Sequence, residues 1–185
     1  MIGRDLEREF DAAVTNVLSV HLERLRALGV APATIARINL AYPALGIASG
    51  AIDRHGVFVP GDGGAHVVQP LVENGGLVDL IAWRPAAPTR WGLRTGLGWL
   101  LNADTAFSTR WDGEVLDLYA TPLDWLRTDA RGAVVVDWDA PDLDSLRSFE
   151  RIRCGNDMLG RTLRRALDRP RRLPRIETME ARRAA

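Results

Sequence analysis

From residue 114 onward, apolar strand-like runs alternate with helix-like stretches, and few folds accommodate that order. "EVLDLYA" reads as a strand, and "TPLDWLRTDA" as a helix with Thr121 at its N-cap and Pro122 at its first position. "GAVVVDW" is apolar without alternation, the pattern of a strand covered on both faces. "APDLDSLRSF" is a short helix or turn, "RIRC" a strand, and "NDMLGRTLRRAL" a closing helix. Successive strand–helix units predict a small parallel sheet, because parallel neighbours need a crossover between them.

Upstream the period changes. Leu6, Phe10, Val14, Val17, Leu18, Leu22 and Leu25 keep helical spacing, so residues 3–28 read as one amphipathic helix stopped by Gly29. "APATIARINLAY" reads as a shorter helix with Pro32 early in it. Between 46 and 84, short apolar runs are separated by Gly, Asp and Pro, the pattern of an antiparallel meander turning at 61–64 and 74–76. "PAAPTRWGLRTGLGWLLNADT" predicts a loop and then a short helix near 96–102. The expected fold is α/β (or α+β). Residues 1–45 form an N-terminal helical segment and 46–112 a mostly antiparallel β region. Residues 113–170 form a three-strand parallel α/β unit, and 171–185 a flexible basic tail.

Composition excludes several chemistries. All 24 basic residues are arginine, with no lysine anywhere in the chain. A P-loop needs a lysine on its phosphates and a Schiff-base enzyme needs an amine, so both are excluded. "RTGLG" also lacks the strand–helix context of a phosphate loop. One cysteine, Cys154, makes no internal disulfide. The acidic start and the lack of a long apolar run lead us to expect a cytoplasmic protein without a membrane span. A net charge of +0 argues against a whole-surface grip on nucleic acid, leaving only local basic faces.

Candidate chemistry falls at the strand C-terminal ends, where open parallel sheets place their sites. Asp137, Asp139 and Asp157 are candidate magnesium ligands, since that ion takes a few hard oxygens plus water. The competing reading is that the acids cap turns, with Asn156 the N-cap of the last helix. A haloacid-dehalogenase-type Asp-x-Asp site fails on position, because only 46 residues follow Asp139. His55 with Asp53, and His66 with Asp62, flank turns without an obvious nucleophile. Trp83 and Trp91, interleaved with Arg84, Arg90 and Arg94, could form a base-stacking surface or pack internally. On the last helix Arg161, Arg164, Arg165 and Arg169 form one basic stripe, extended by Arg171, Arg172 and Arg175.

The run "RIRCGNDMLGRTLRRALDRP" resembles the acidic motif of TOPRIM domains of phage and plasmid primase-type proteins, with Asp157, Gly160 and Arg161 matching and Asn156 in place of an acid. More faintly, residues 46–84 are similar to the segment preceding that domain. The resemblance implies a TOPRIM-like fold over about 114–168. TOPRIM catalysis uses a glutamate after the first strand, where this chain has Tyr119-Ala120-Thr121-Pro122. The resemblance therefore implies a domain that kept the fold and lost the chemistry: a nucleic-acid-associated accessory, more a binder than an enzyme, meeting single-stranded or duplex DNA through its arginines. Two alternatives stand beside it. One is a structural protein that meets a partner, or a second copy of itself, through residues 3–28. The other is a magnesium-dependent phosphoryl-transfer enzyme built on Asp137, Asp139 and Asp157.

Overall fold

The computed structural model describes residues 2–38, 43–109 and 115–169. Trp111, Arg171, Arg172, Arg175 and the rest of the tail lie outside the described residues. The chain is mixed α/β, with two sheets.

The first sheet is antiparallel, in the order β2-β1-β3-β4-β5. Its strands are β1 (Gly46–Ile52), β2 (Phe58–Pro60), β3 (Gly64–Glu73), β4 (Gly76–Arg84) and β5 (Ala87–Leu93). The expected meander is present. The β3–β4 turn has Asn74 at φ 52° and Gly75 at φ 75°, the paired left-handed residues that match strand twist. Alternation along β3 sends Val68 to one face and Val67 and Leu71 to the other, so each face of this sheet builds a core.

Helix α1 (Ile2–Thr15) covers the first face, where Leu6 and Phe10 pack on Phe58, Val68, Leu80 and Ala82. The single helix expected over 3–28 is instead two. It breaks at 16–18, and α2 (Ser19–Ala27) follows. The apolar positions serve different cores: α1 packs on the outer face of the sheet, whereas Leu25 of α2 enters the core behind it. A straight helix cannot reach both. The break is held by Asn16 Nδ2 donating to the Ile47 carbonyl at 3.3 Å, and by the Leu18 amide donating to His21 Nδ1 at 3.0 Å. α3 (Pro32–Ile38) starts on its proline as expected.

The 87–102 segment also departs from expectation. Ala87–Leu93 is a strand, and in place of a helix near 96–102 the chain forms the short strand β6 (Leu100–Leu101) followed by α4 (Ala103–Thr109). Asp79, fully buried on β4, explains the change. Its Oδ1 accepts from the amides of Leu80 and Thr95, and its Oδ2 from those of Leu97 and Gly98, at 2.8–3.1 Å. A carboxylate fixed inside the sheet thus organises the "RTGLG" loop, holding residues 95–98 wrapped around it.

The second sheet runs β6-β8-β7-β9, with β7 (Leu116–Tyr119), β8 (Ala133–Val135) and β9 (Ile152–Cys154) parallel and β6 antiparallel at one edge. α5 (Pro122–Arg127) links β7 to β8. A 3₁₀ helix (Pro141–Ser148) leads toward β9, and α6 (Asp157–Leu167) closes the unit. β8 is buried on both faces: Val134 joins the core shared with the first sheet and α5, and Val135 joins the core under α4, the 3₁₀ helix and α6. β6, drawn from the 46–112 segment, completes this sheet.

Candidate nucleic-acid interface

α6 is positioned by its own sequence. Asn156 sits in extended backbone, and its Oδ1 accepts from the Leu159 amide at 2.8 Å, an N-cap with Asp157 in the first turn. Leu159 and Leu163 bury one face against Leu116, Leu118 and Phe149. The 3.6-residue period then turns Arg161, Arg164 and Arg165 outward, and all three are exposed. Among the described residues none of them has a carboxylate within ion-pair distance, whereas Arg94, Arg127, Arg147 and Arg153 are paired with Glu9, Asp124, Asp144 and Asp117. Arg169, the fourth member of the expected stripe, is also spent: its NH1 meets Asp139 Oδ1 at 2.6 Å.

Between α6 and the edge strand β9 runs a groove of about 500 Å³, lined by Cys154, Asn156, Asp157, Gly160, Arg161 and Arg164. Burial pushes the Cys154 thiol up, against the opposing pull of Arg164. The thiol is therefore protonated at neutral pH and a poor nucleophile. What the groove offers is arginine donors beside a strand edge, a surface suited to phosphate oxygens.

The proposed magnesium ligands do not assemble. Among the described residues no three Asp, Glu, His or Cys side chains lie close enough to hold a metal ion. β7 separates β8 from β9, so the strand ends carrying Asp137 and Asp157 are about 10 Å apart by sheet spacing alone. Asp137 Oδ1 accepts from the Asp139 amide in a local turn, and Asp139 reaches the far end of α6 through Arg169. At the end of β7, Asp124 is spent as well, accepting from the Thr121 hydroxyl at 2.8 Å and from Arg127. The turn at 156–157 is a helix cap.

The tryptophan surface expected near 83–94 is internal. Trp83 is fully buried, and its Nε1 donates to Gln69 Oε1 at 2.9 Å. Trp91 is half-buried and donates to the Val136 carbonyl at 3.0 Å, bracing the first sheet against the second. Arg84 and Arg90 are exposed. Among the described residues neither His–Asp pair is joined by a hydrogen bond between its side chains. The carboxylate of Asp53 caps the Val57 and His55 amides, which hold it below the usual range, and His66 is buried with its Nδ1 on the Gly64 carbonyl.

Two features escaped the sequence reading. Asp79 fills, from inside the chain, the kind of amide nest that a phosphate would fill. Glu73 has its carboxyl pushed up by burial, then by Asp142 and Asp104, and it lines a crevice with both. Among the described residues no helix is long and apolar enough to cross a membrane. Comparison with protein-family models, curated proteins and solved structures returned no match.

Proposed function

We propose that this chain is a catalytically inert, TOPRIM-like accessory that holds nucleic-acid phosphates on the outer face of α6. The observation that carries the reading is the trio Arg161, Arg164 and Arg165, close together, exposed and without an ion pair among the described residues, in a chain that pairs many of its other arginines. Keeping three like charges together costs stability through self-repulsion, and a phosphate backbone relieves it. The order of strands and helices, ending in an acidic turn that opens α6, supports the TOPRIM-like part. The spent Asp124 and Asp139 support the loss of catalysis. Contacts of this kind recognise backbone rather than base sequence, so binding is sequence-tolerant. The test is fluorescence anisotropy of an end-labelled single-stranded oligonucleotide. Wild type binds at low salt, and Arg161→Ala/Arg164→Ala/Arg165→Ala does not. Equal binding by the two proteins refutes the assignment to α6.

A second reading is favoured by α2, not by the whole 3–28 segment. The apolar face of α1 is consumed by the core, but Leu18 and Val20 are 60% and 59% exposed and Leu22 is 39% exposed. Leu18 and Leu22, one helical turn apart, share a face that a partner could cover, while Val20 points away from them. Under this reading Leu18→Ser/Leu22→Ser abolishes association with a partner protein or a second copy while leaving the fold intact, and sedimentation of wild type as a monomer at high concentration removes the self-association form of it.

A further inference from the structure

A second cavity, of about 350 Å³, lies behind β3 and is lined by α3, β6, α4 and α5. Its walls are largely hydrocarbon, including Ile38, Pro70, Leu101 and Trp125. One wall residue is Gln69, which is 0% exposed. The Nε1–H of Trp83 can only donate, so the amide oxygen of Gln69 is committed to it. The other polar atom of Gln69, its Nε2, is buried and has no hydrogen-bond partner among the described residues. A buried donor without a partner destabilises a fold unless an acceptor arrives from elsewhere.

The rim limits what that acceptor can be. Arg37 at the mouth donates to the Asp129 carbonyl, and both oxygens of Asp104 already accept from the Asn74 and Gly75 amides. The remaining polar lining is neutral, the amides of Gln69 and Asn102 and the Thr105 hydroxyl, so an ion buried there would go uncompensated. The volume is at the small end of ligand pockets. We propose that this cavity binds a neutral, ring-sized small molecule whose carbonyl oxygen accepts from Gln69 Nε2 while its ring lies against Trp125 and Leu101. The site is separate from the α6 arginines and does not depend on them.

The test uses two probes of the same shape, acetophenone and α-methylstyrene, in which a carbonyl oxygen is exchanged for a methylene. Binding is followed by ¹H–¹⁵N NMR of the Gln69 side-chain amide, assigned by its disappearance in Gln69→Met. Acetophenone binds saturably, moves that signal, and binds roughly tenfold tighter than α-methylstyrene. In Gln69→Met the preference vanishes while both probes still bind. If that variant fails to fold, Thr105→Leu at the exposed rim serves instead, and it weakens both probes by narrowing the entrance. Equal affinity of the two probes for wild type overturns the proposal. So does an unmoved Gln69 signal while acetophenone binds. Failure of both probes to bind overturns it too.

Discussion

Replacing Asp79 by asparagine tests how this chain holds its central loop. The four amides on the carboxylate divide evenly between its oxygens: Leu80 and Thr95 on Oδ1, Leu97 and Gly98 on Oδ2. Asparagine keeps one acceptor and points an NH₂ group at the other two donors. Each buried amide left unmet costs about 1–3 kcal/mol. The two surviving bonds also lose their charge assistance, which roughly halves them. The expected loss is about 3–6 kcal/mol, a large share of a domain's roughly 5–15 kcal/mol. At this chain length that lowers Tm by about 10 °C or more. The control is Asp104→Asn, which removes the same chemistry at the surface: Asp104 Oδ1 and Oδ2 accept from the Asn74 and Gly75 amides at 2.6 and 2.8 Å in an exposed turn. There water replaces the lost acceptor, and the cost is about 1 kcal/mol or less. Urea unfolding followed by circular dichroism gives both values. An Asp79→Asn loss below about 1 kcal/mol, or one equal to that of Asp104→Asn, refutes the argument that burial makes this carboxylate structural.

Asn156→Ala removes the cap of α6 and lowers stability by about 1 kcal/mol in the same urea assay, with no effect on metal content, because the turn is a cap. Gly132 has φ 74°, and a Cβ there would meet the Asp117 carbonyl oxygen at 2.1 Å, so Gly132→Ala costs more than about 3 kcal/mol or prevents accumulation of soluble protein, read by thermal shift. His66 has its pKa lowered from 6.5, first by burial and then by Arg84, against a raising hydrogen bond to Gly64. The unfolded chain therefore takes up this proton more readily than the folded one, and the stability contribution is lost as pH falls below about 6.5. Comparing wild type with His66→Gln across pH 7 to 5 should give a shallower acid decline in the variant; parallel curves would exclude His66 as a source.

What the sequence made legible were features whose causes are local. Thr121 and Pro122 mark the start of α5 because capping acts within a turn, and Asn156 marks α6 for the same reason. The run of valines in β8 announces burial on both faces because no side of it is polar. The failures share a different cause. Helical spacing continues from Val14 through Leu25, so nothing local signals that α1 and α2 serve separate cores. The glycines of "RTGLG" suit a phosphate loop and a loop wrapped on an internal acid equally, and the acid lies 16 to 19 residues away. Arg94 and Arg169 read as free cations until partners 85 and 30 residues distant appear. For the candidate site, the stripe on α6 was visible as spacing, but only the fold separates Arg169, paired with Asp139, from the three arginines without an ion pair among the described residues.

The central claim is that those three arginines, and not the chain as a whole, meet phosphate. The most direct test is the salt dependence of single-stranded DNA binding for wild type and Arg161→Ala/Arg164→Ala/Arg165→Ala. Three neutralised phosphates give a slope of log K against log salt of about −2. The account predicts that slope in wild type and a loss of about two units in the variant. A wild-type slope near zero, or one the triple substitution leaves unchanged, contradicts it.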